Sequence, residues 1–458
     1  MFFTYAAVVR LARRMAPREP LTQEVAGVCA ALMCAFSSTI WFNAIEAEVY
    51  GLAGFMMTLL TWVSLIWYEH RTERRSDWLL LLLIYLCGLG VGFHLGSLLV
   101  YPAFFAMVWL ATDRQLPVLD LTLVSAGLAL FLASTTFITD GGVLQTLVIL
   151  YALGCLTRAG WPQIRRMAGQ PEVEGPAWRP FALYGLLLFL VGLSVHAMLM
   201  IRAGAVPEPA INQSVPDDFA TLLSVLRREQ YPPLNPLERQ APLAFQFGYY
   251  YDFLMQQWSF LPQPGQLLDR ISVLVGPILL ALVGVAHTVR RARPLVWLLL
   301  LGYLINADGL TLYLNFTDHE VRERDYFYFA AFLYTSVFIG LGTAALLRWT
   351  SGPLGRTRAQ LAEAAAPPPE GRPFQLNGFV YRVLLAFGLA LVLMALVPGE
   401  AKITWLGLFL FGSVFLGLIY ARWLDGIAAG KSPGVLWHQR SWGWQIGMLA
   451  GLQTQPAV

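Results

Sequence analysis

Long apolar runs, separated by short polar segments, repeat along almost the whole chain. They lack the apolar and polar alternation of barrel strands, and most could cross the roughly 30 Å of hydrocarbon in a bilayer as a helix. A bilayer offers no hydrogen-bond partner to open backbone, so we expect each run to be helical. The predicted helices cover residues 23–44, 50–68, 78–93, 95–111, 118–138, 143–157, 180–201, 271–289, 295–314, 326–347, 379–397 and 403–421.

A further apolar stretch, MFFTYAAVVRLARR, opens the chain and is too short to span a bilayer. We interpret it as part of one more helix. Hydrophobic residues make up 57% of the chain and charged residues 13%, whereas soluble domains carry roughly 25% charged residues. The sequence therefore predicts an all-α polytopic membrane protein with about 12 to 13 transmembrane helices.

Basic residues distinguish the two ends of these helices. If the loop after the first stretch is cytoplasmic, alternation places 23 of the 31 lysines and arginines on cytoplasmic segments. Because cytoplasmic loops are enriched in Lys and Arg, this count sets the orientation and places the C-terminus in the cytoplasm. Lysine occurs only at Lys402 and Lys431, a bias typical of a GC-rich genome. We expect a bacterial inner-membrane protein whose active face is extracytoplasmic.

The alternation also divides the chain into segments. Residues 204–265 are predicted to form an extracytoplasmic amphipathic lid, which either lies on the membrane or helps to hold an acceptor. The six predicted segments are 1–203 (membrane helices), 204–265 (lid), 266–350 (membrane helices), 351–378 (cytoplasmic Pro/Ala-rich linker), 379–421 (two more helices) and 422–458 (cytoplasmic tail).

A glycine-rich stretch, GLGVGFHLG, interrupts the apolar region 78–111. Glycines permit a sharp break, and a turn at membrane depth is tolerated where protein or a water-filled cavity surrounds it. We expect a tight hairpin with His94 at its outer turn. The alternative is one long tilted helix with glycines at a packing face.

Two outer loops carry charges close to apolar spans. The first loop contains Glu46, Glu48 and Tyr50, and the second contains Asp318, His319, Arg322, Arg324 and Asp325. Ionisable groups at such positions are costly and therefore indicate function, although solvated loop tips with self-compensating charge would look the same. Arginine's planar fork matches phosphate oxygens, while a carboxylate deprotonates an acceptor hydroxyl. The set suits transfer of a group from a phosphate-linked lipid.

Five segments over roughly residues 1–350 carry a resemblance to a known family. They are TIWFNAIEAEVYGL, YLCGLGVGFHLGSLL, INQSVPDDFATLLSVLRREQY, FQFGYYYDFLMQQW and VRERDYFYFAAFLYTSVFIGLG. In sequence and in order they resemble the DUF2723 family, the bacterial relatives of the animal protein O-mannosyltransferase called transmembrane protein 260.

The resemblance implies a GT-C glycosyltransferase fold. It also implies a polyprenyl-phosphate-linked sugar as donor and a protein or glycan as acceptor on the extracytoplasmic face. The family's EVY element falls on Glu48 to Tyr50, its glycine-histidine turn on Gly92 and His94, and its RERDY element on Arg322 to Tyr326. By this resemblance His94 is expected to contact the donor phosphate. Nucleic acid is not an expected partner, no metal site is indicated, and metal dependence stays open.

One departure affects the catalytic assignment. Family members begin with a further helix and a first outer loop carrying a D-S-G-E type motif, where GT-C enzymes usually keep a catalytic aspartate. Neither is found here. We expect either a start codon further upstream or a fragment that is inactive alone, and we leave the catalytic residue unassigned. Glu46 and Glu48 are interpreted as pocket residues.

Two other functions are compatible with a membrane protein of this kind. A transporter or flippase of lipid-linked sugars predicts two halves with similar hydropathy and broken helices at mid-membrane. No such internal repeat is evident. A non-catalytic scaffold would instead use the outer lid to bind an enzyme.

Overall fold

The structure is a computed structural model of the 458-residue chain. It describes residues 1–355 except 47–48, 74–75, 112–117, 137–140, 169–179, 208, 213, 228, 231–237, 260–269, 272 and 320–322. The predicted helices 379–397 and 403–421 lie outside the described residues, as do almost all of the predicted linker and the whole tail. Within the described residues the chain is helical and contains no strand. The prediction of an all-α polytopic membrane protein is confirmed.

The chain divides into two compact units. Unit 1 contains the described residues of 1–107 and 238–355, and unit 2 contains those of 108–237. The helices of unit 1 are α1 (Phe2–Met15), α2 (Pro20–Ala35), α3 (Ser38–Ile45), α4 (Tyr50–His70), α5 (Ser76–Phe93), the first part of α6 (Tyr101–Ala111), α12 (Leu243–Gln256), α13 (Leu279–Arg291), α14 (Arg293–Leu304), α15 (Leu310–Leu314) and α16 (Phe329–Gly355). Those of unit 2 are the rest of α6, α7 (Val118–Thr136), α8 (Gly141–Met167), α9 (Phe181–Leu193), α10 (Ala197–Ala203) and α11 (Phe219–Leu226).

Single turns of other helix types join several of these helices. A 3₁₀ turn precedes α6, another links α9 to α10, and a third, Asp325–Tyr328, leads into α16. Short π-helical segments precede α13 and α15. With these joins, seven helices in the described residues are long and apolar enough to cross a membrane, or eight if the bent pair α2 and α3 is one span.

Helix α16 is the centre of unit 1. It packs along α13 on one side and along α2 on another, and 78% of the most apolar part of the span Asp325–Arg348 is buried. Small residues allow this close approach: a Cβ built at Gly342 would overlap the carbonyl oxygen of Leu280, and one at Gly284 would overlap that of Phe338. Such contacts between small residues are typical of membrane helices, which gain little from hydrophobic burial in lipid.

The predicted single helix 23–44 is wrong in one respect. The chain bends by 65° between Pro20–Ala35 and Ser38–Ile45, so α3 is a separate short helix. No glycine or proline lies at the break, and the apolar pattern continues through Phe36. The cause is a partner far along the chain, described below.

The predicted hairpin at His94 is confirmed. The Tyr101 hydroxyl donates a hydrogen bond to the carbonyl oxygen of Cys87, fourteen residues earlier in the chain. In a continuous helix these groups would be separated by roughly 20 Å, because each residue adds about 1.5 Å. The chain therefore reverses at His94, where α5 ends, and Gly90 gives room for the Tyr101 hydroxyl.

Two of the described spans of unit 2 have little buried apolar surface. Only 6% of the most apolar part of span Gly142–Ile164 is buried, and 11% of that of Phe181–Ala203. One end of the three helices α7, α8 and α9 is joined by polar contacts. The buried Asp120 carboxylate accepts from the Arg158 guanidinium at 2.6 Å and from the Ala182 backbone N–H at 3.4 Å.

Candidate active site

The break between α2 and α3 is held by the side chain of Gln257, which follows α12. Its Oε1 accepts hydrogen bonds from the Ser37 hydroxyl at 2.6 Å and from the Thr39 backbone N–H at 3.0 Å. The Gln257 carbonyl oxygen accepts from the Ser38 N–H at 3.0 Å. Backbone groups freed by a helix break must find partners inside a membrane protein, and Gln257 supplies them. Helix α3 can therefore turn away from the axis of α2.

A cleft of about 250 Å³ opens where α3, the start of α4, the end of α12 and the 3₁₀ turn before α16 meet. It combines three carboxylates, two glutamines, one asparagine and four aromatic rings. Its lining residues are Ser38, Phe42, Asn43, Glu46, Tyr50, Phe253, Gln256, Gln257, Glu323, Asp325 and Tyr326. No lysine, arginine or histidine is among these described lining residues. The cleft is therefore acidic and aromatic.

Asp325 is the most firmly held of the three carboxylates. Its Oδ2 accepts a hydrogen bond from the Thr39 hydroxyl. The Thr39 Oγ1 in turn accepts from Gln257 Nε2 at 2.8 Å. Thr39 and Gln257 are 1% and 3% exposed, so water does not compete for these bonds.

His94 does not line the cleft but contacts Tyr50, which does. Its Nδ1 accepts a hydrogen bond from the Gly96 backbone N–H at 3.0 Å, so a neutral imidazole carries its proton on Nε2. The imidazole lies 5.0 Å from the Tyr50 ring, and the Tyr50 ring lies 4.9 Å from that of Tyr326. The three elements singled out in the sequence, around residues 46–50, 94 and 322–326, thus meet at one place.

The loop that carries Asp325 is tied down at its other end by Asn315. This residue ends α15 in the left-handed conformation, with φ 52°. Its Oδ1 accepts from the Gln240 N–H and from Gln246 Nε2, both at 3.0 Å, and its Nδ2 donates to the Glu238 carbonyl at 2.7 Å. These bonds join the end of α15 to the segment that leads into α12.

Helix α12 packs into unit 1 through its tyrosines. The Tyr250 ring lies 4.7 Å from that of Tyr328 and 6.4 Å from that of Phe332, and its hydroxyl donates a hydrogen bond to the Tyr303 hydroxyl at 3.0 Å. Burial raises the pKa of Tyr250 well above its usual value, so its hydroxyl keeps the proton that it donates. The packing fixes α12 and hence the position of Gln257.

The other predicted site residues either do not line the cleft or lie outside the described residues. The Arg324 guanidinium lies 5.6 Å from the centre of the Phe316 ring. Asp318 and His319 are exposed and pair with each other at 3.2 Å. Glu48 and Arg322 lie outside the described residues. Of the predicted candidates, Glu46, Tyr50 and Asp325 line the cleft.

The predicted site residues did not include Thr39, Asn43, Gln257 or Glu323. Thr39 lies in TIWFNAIEAEVYGL and Gln257 in FQFGYYYDFLMQQW, two segments that carry the family resemblance. Polar residues inside those apolar segments were the available indication. The hydrogen bond between Thr39 and Gln257 could not be predicted from the sequence, because 218 positions separate the two residues along the chain.

The described residues contain no group of three His, Cys, Asp or Glu side chains arranged to hold a metal ion. Carboxylates accept hydrogen bonds from hydroxyl donors, and the amide groups of Asn43 and Gln256 both donate and accept.

Comparison with known families places the first part of the chain. Residues 1–116 match the model described as the protein O-mannosyl-transferase TMEM260 N-terminal domain. The matched residues include α3, the start of α4 and the His94 turn, whereas residues 253–257 and 323–326 of the cleft lie beyond them. No curated protein matches the chain, and no solved structure does. Over residues 1–116 the protein is therefore TMEM260-like.

Proposed function

We propose that the protein is a membrane glycosyltransferase of the O-mannosyltransferase kind. It moves a sugar from a polyprenyl-phosphate donor to a protein or glycan acceptor on the extracytoplasmic face. The observation that carries the proposal is the acidic and aromatic cleft, one wall of which belongs to the TMEM260-like region. A concave site with a few converging polar groups is the usual form of a small-molecule site.

The chemistry is a single displacement with inversion at the sugar carbon. The acceptor hydroxyl oxygen attacks the anomeric carbon, the bond from that carbon to the phosphate oxygen breaks, and polyprenyl phosphate leaves with the bonding electrons. A carboxylate takes the hydroxyl proton, and cationic or N–H donors stabilise the leaving phosphate. Arg324 and the Nε2–H of His94 are the described groups that we assign to the phosphate, with Arg322 as a further candidate.

The charge distribution supports the extracytoplasmic side. Helices α4 and α16 both begin at the cleft, with Tyr50 and with the turn at Asp325. The other ends of these two helices carry Arg71 and Arg348. Further cations at that end are Arg10 and the arginines that end α13. An excess of arginine marks the cytoplasmic ends of membrane helices, which favours the extracytoplasmic end for the cleft.

A transfer assay tests the proposal. The purified full chain in proteoliposomes would be given radiolabelled polyprenyl-phosphate mannose and a membrane-protein or peptide acceptor. We expect labelled acceptor from the wild type. His94→Ala and Arg324→Ala should each lower the rate by about 100-fold, the scale on which a donor to a developing negative charge contributes.

The matched controls are His196→Ala, which removes a histidine of unit 2, and Arg270→Ala, which removes a half-exposed arginine paired with Asp252. Both should keep the wild-type rate. An inactive wild type with every polyprenyl-phosphate sugar tried would reject the function. An active wild type with fully active His94→Ala and Arg324→Ala variants would reject the phosphate assignment alone.

A further inference from the structure

We propose that Asp325 is the carboxylate that recognises a hydroxyl of the group bound in the cleft, and that Thr39 and Gln257 are the residues that position it. The bound group is uncharged and rich in hydroxyls, as a hexose is. This inference deepens the proposed function and rests on it.

The direction of the hydrogen bonds carries the first step. The Gln257 amide uses both of its groups: Oε1 accepts from Ser37 and from the Thr39 N–H, and Nε2 donates to Thr39 Oγ1 and to the Phe253 carbonyl at 3.0 Å. A flipped Gln257 amide would point its NH₂ group at the Thr39 N–H, and two donors would then face each other. The Thr39 N–H therefore sets the orientation of the Gln257 amide.

That orientation determines what Thr39 can do. Its hydroxyl has a single hydrogen, and because Oγ1 already accepts from Gln257, the hydrogen is directed to Asp325 Oδ2. A hydroxyl donor to a carboxylate forms a strong, charge-assisted bond. The bond holds the half-buried Asp325 in one orientation at the cleft wall, where its carboxylate can accept from a ligand hydroxyl.

The charge of the site carries the second step. The carboxylates of Glu46, Glu323 and Asp325 line the cleft, and no lysine, arginine or histidine is among its described lining residues. Negative charge is therefore in excess among the described residues that face a ligand in the cleft. Like charges repel across a partly buried site, so a uronic acid would be rejected while a neutral hexose is accepted.

The aromatic rings that line the cleft favour a sugar as the bound group. Phe42, Tyr50, Phe253 and Tyr326 supply apolar faces beside the carboxylates and amides. A site for a flat, hydroxyl-rimmed molecule needs this combination, with apolar surface for burial and a few polar groups to fix orientation. The donor phosphate then lies outside the acidic cleft.

Carboxyl labelling tests recognition without relying on activity. The detergent-solubilised full chain would be treated with a water-soluble carbodiimide and an amine, and the modification of Asp325 followed by mass spectrometry. We expect saturating methyl mannoside to reduce the labelling of Asp325 severalfold, glucuronate to have no effect, and the exposed Asp217 to be labelled equally in all samples. Equal labelling of Asp325 with and without every neutral hexose would overturn the inference, as would stronger protection by glucuronate.

Transfer kinetics test the positioning. Thr39→Val removes the hydroxyl at constant size, and Gln257→Glu replaces the NH₂ donor by an acceptor, which draws the Thr39 hydrogen away from Asp325. Each should lower kcat/KM by about tenfold or more, mainly through KM, because a bond of this kind acts on the bound group before and during the reaction. Thr39→Ser keeps the hydroxyl and should restore most of the wild-type value.

The matched control is Thr335→Val, a buried threonine whose hydroxyl donates only within its own helix, to the Ala331 carbonyl, among the described residues. It should leave KM unchanged. Folding of each variant is checked by the protection of the buried Cys87 thiol. Folded Thr39→Val with wild-type KM would overturn the inference while the function stands. An inactive wild type whose Asp325 is still protected by mannoside would reject the function while the inference stands.

Discussion

Units 1 and 2 are built from similarly apolar helices, yet they are held together differently. In unit 1 the span Asp325–Arg348 is 78% buried in its most apolar part, whereas in unit 2 the corresponding value for Gly142–Ile164 is 6%. The helices of unit 1 approach closely at small residues such as Gly342, and among the described helices of unit 2 the ion pair of Asp120 with Arg158 joins α7 to α8. Apolar character alone does not say which helices form a core, because lipid solvates apolar surface as well as protein does.

Breaking the close contact in unit 1 should have the largest effect. Gly342→Leu would push a side chain into the backbone of α13, and backbone cannot move aside as a flexible side chain can. We expect the free energy of unfolding of unit 1 to fall by about 3 kcal/mol or more. The measurement is maleimide labelling of the buried Cys87 during denaturant titration.

The matched control lies in unit 2. A Cβ built at Gly160 in α8 meets nothing within 4 Å, so Gly160→Leu should leave the labelling of Cys87 and of the buried Cys155 close to wild type. Equal destabilisation by both leucines would mean that the two units do not differ in packing.

Breaking the ion pair in unit 2 should have the next largest effect. Arg158→Met leaves the buried Asp120 carboxylate without its charge partner, and removal of one member of a buried pair costs about 3 kcal/mol. Labelling of Cys155 reports the loss, while Cys87 in unit 1 should stay protected. The double variant Asp120→Leu with Arg158→Met should regain most of the stability, since an apolar pair of similar volume often replaces a buried ion pair. A single variant as stable as wild type would show that the pair does not hold unit 2.

The smallest effect concerns α11, outside the predicted spans, where water competes for hydrogen bonds. Asp218 caps this helix, and its Oδ1 accepts from the Thr221 backbone N–H at 2.7 Å. That backbone hydrogen bond lowers the pKa of Asp218 below its usual value. The folded pKa is thus lower than the unfolded one, so the stabilisation is present above the unfolded pKa and is lost as pH falls through the folded pKa.

Hydrogen exchange of the amides of Phe219–Leu226, corrected for the intrinsic effect of pH, should therefore show weaker protection after acidification through that range. Asp218→Asn keeps a capping oxygen without a charge and should remove the pH dependence. Protection that is independent of pH in the wild type would contradict the capping role.

The apolar pattern predicted the helix positions. The free energy of transferring a helix from water to lipid depends on the composition of that segment, which is local in the sequence. Predicted segments such as 50–68 and 326–347 correspond to α4 and to the span that ends in α16. The segment 204–265, predicted to be amphipathic, contains the helix α11. The hairpin at His94 was also predictable from the sequence, because the glycines that permit it are its neighbours in the chain.

The candidate site was predictable only in part. Glu46, Tyr50 and Asp325 were singled out by charge and position, and they do line one cleft. The side chains that shape it, Thr39 and Gln257, look like ordinary polar residues in apolar segments. What they do depends on a partner more than 200 positions away, and hydropathy does not report such pairs.

The sequence by itself determined which segments are helical, how apolar each is, and which ends carry the arginines, because transfer from water to lipid and the distribution of charge depend on local composition. Only the tertiary structure decided that α2 breaks at Phe36, that the Thr39 hydrogen points to Asp325, and that three carboxylates share one cleft. Those features depend on hydrogen bonds between groups distant in the chain, and such bonds exist only once the helices have packed.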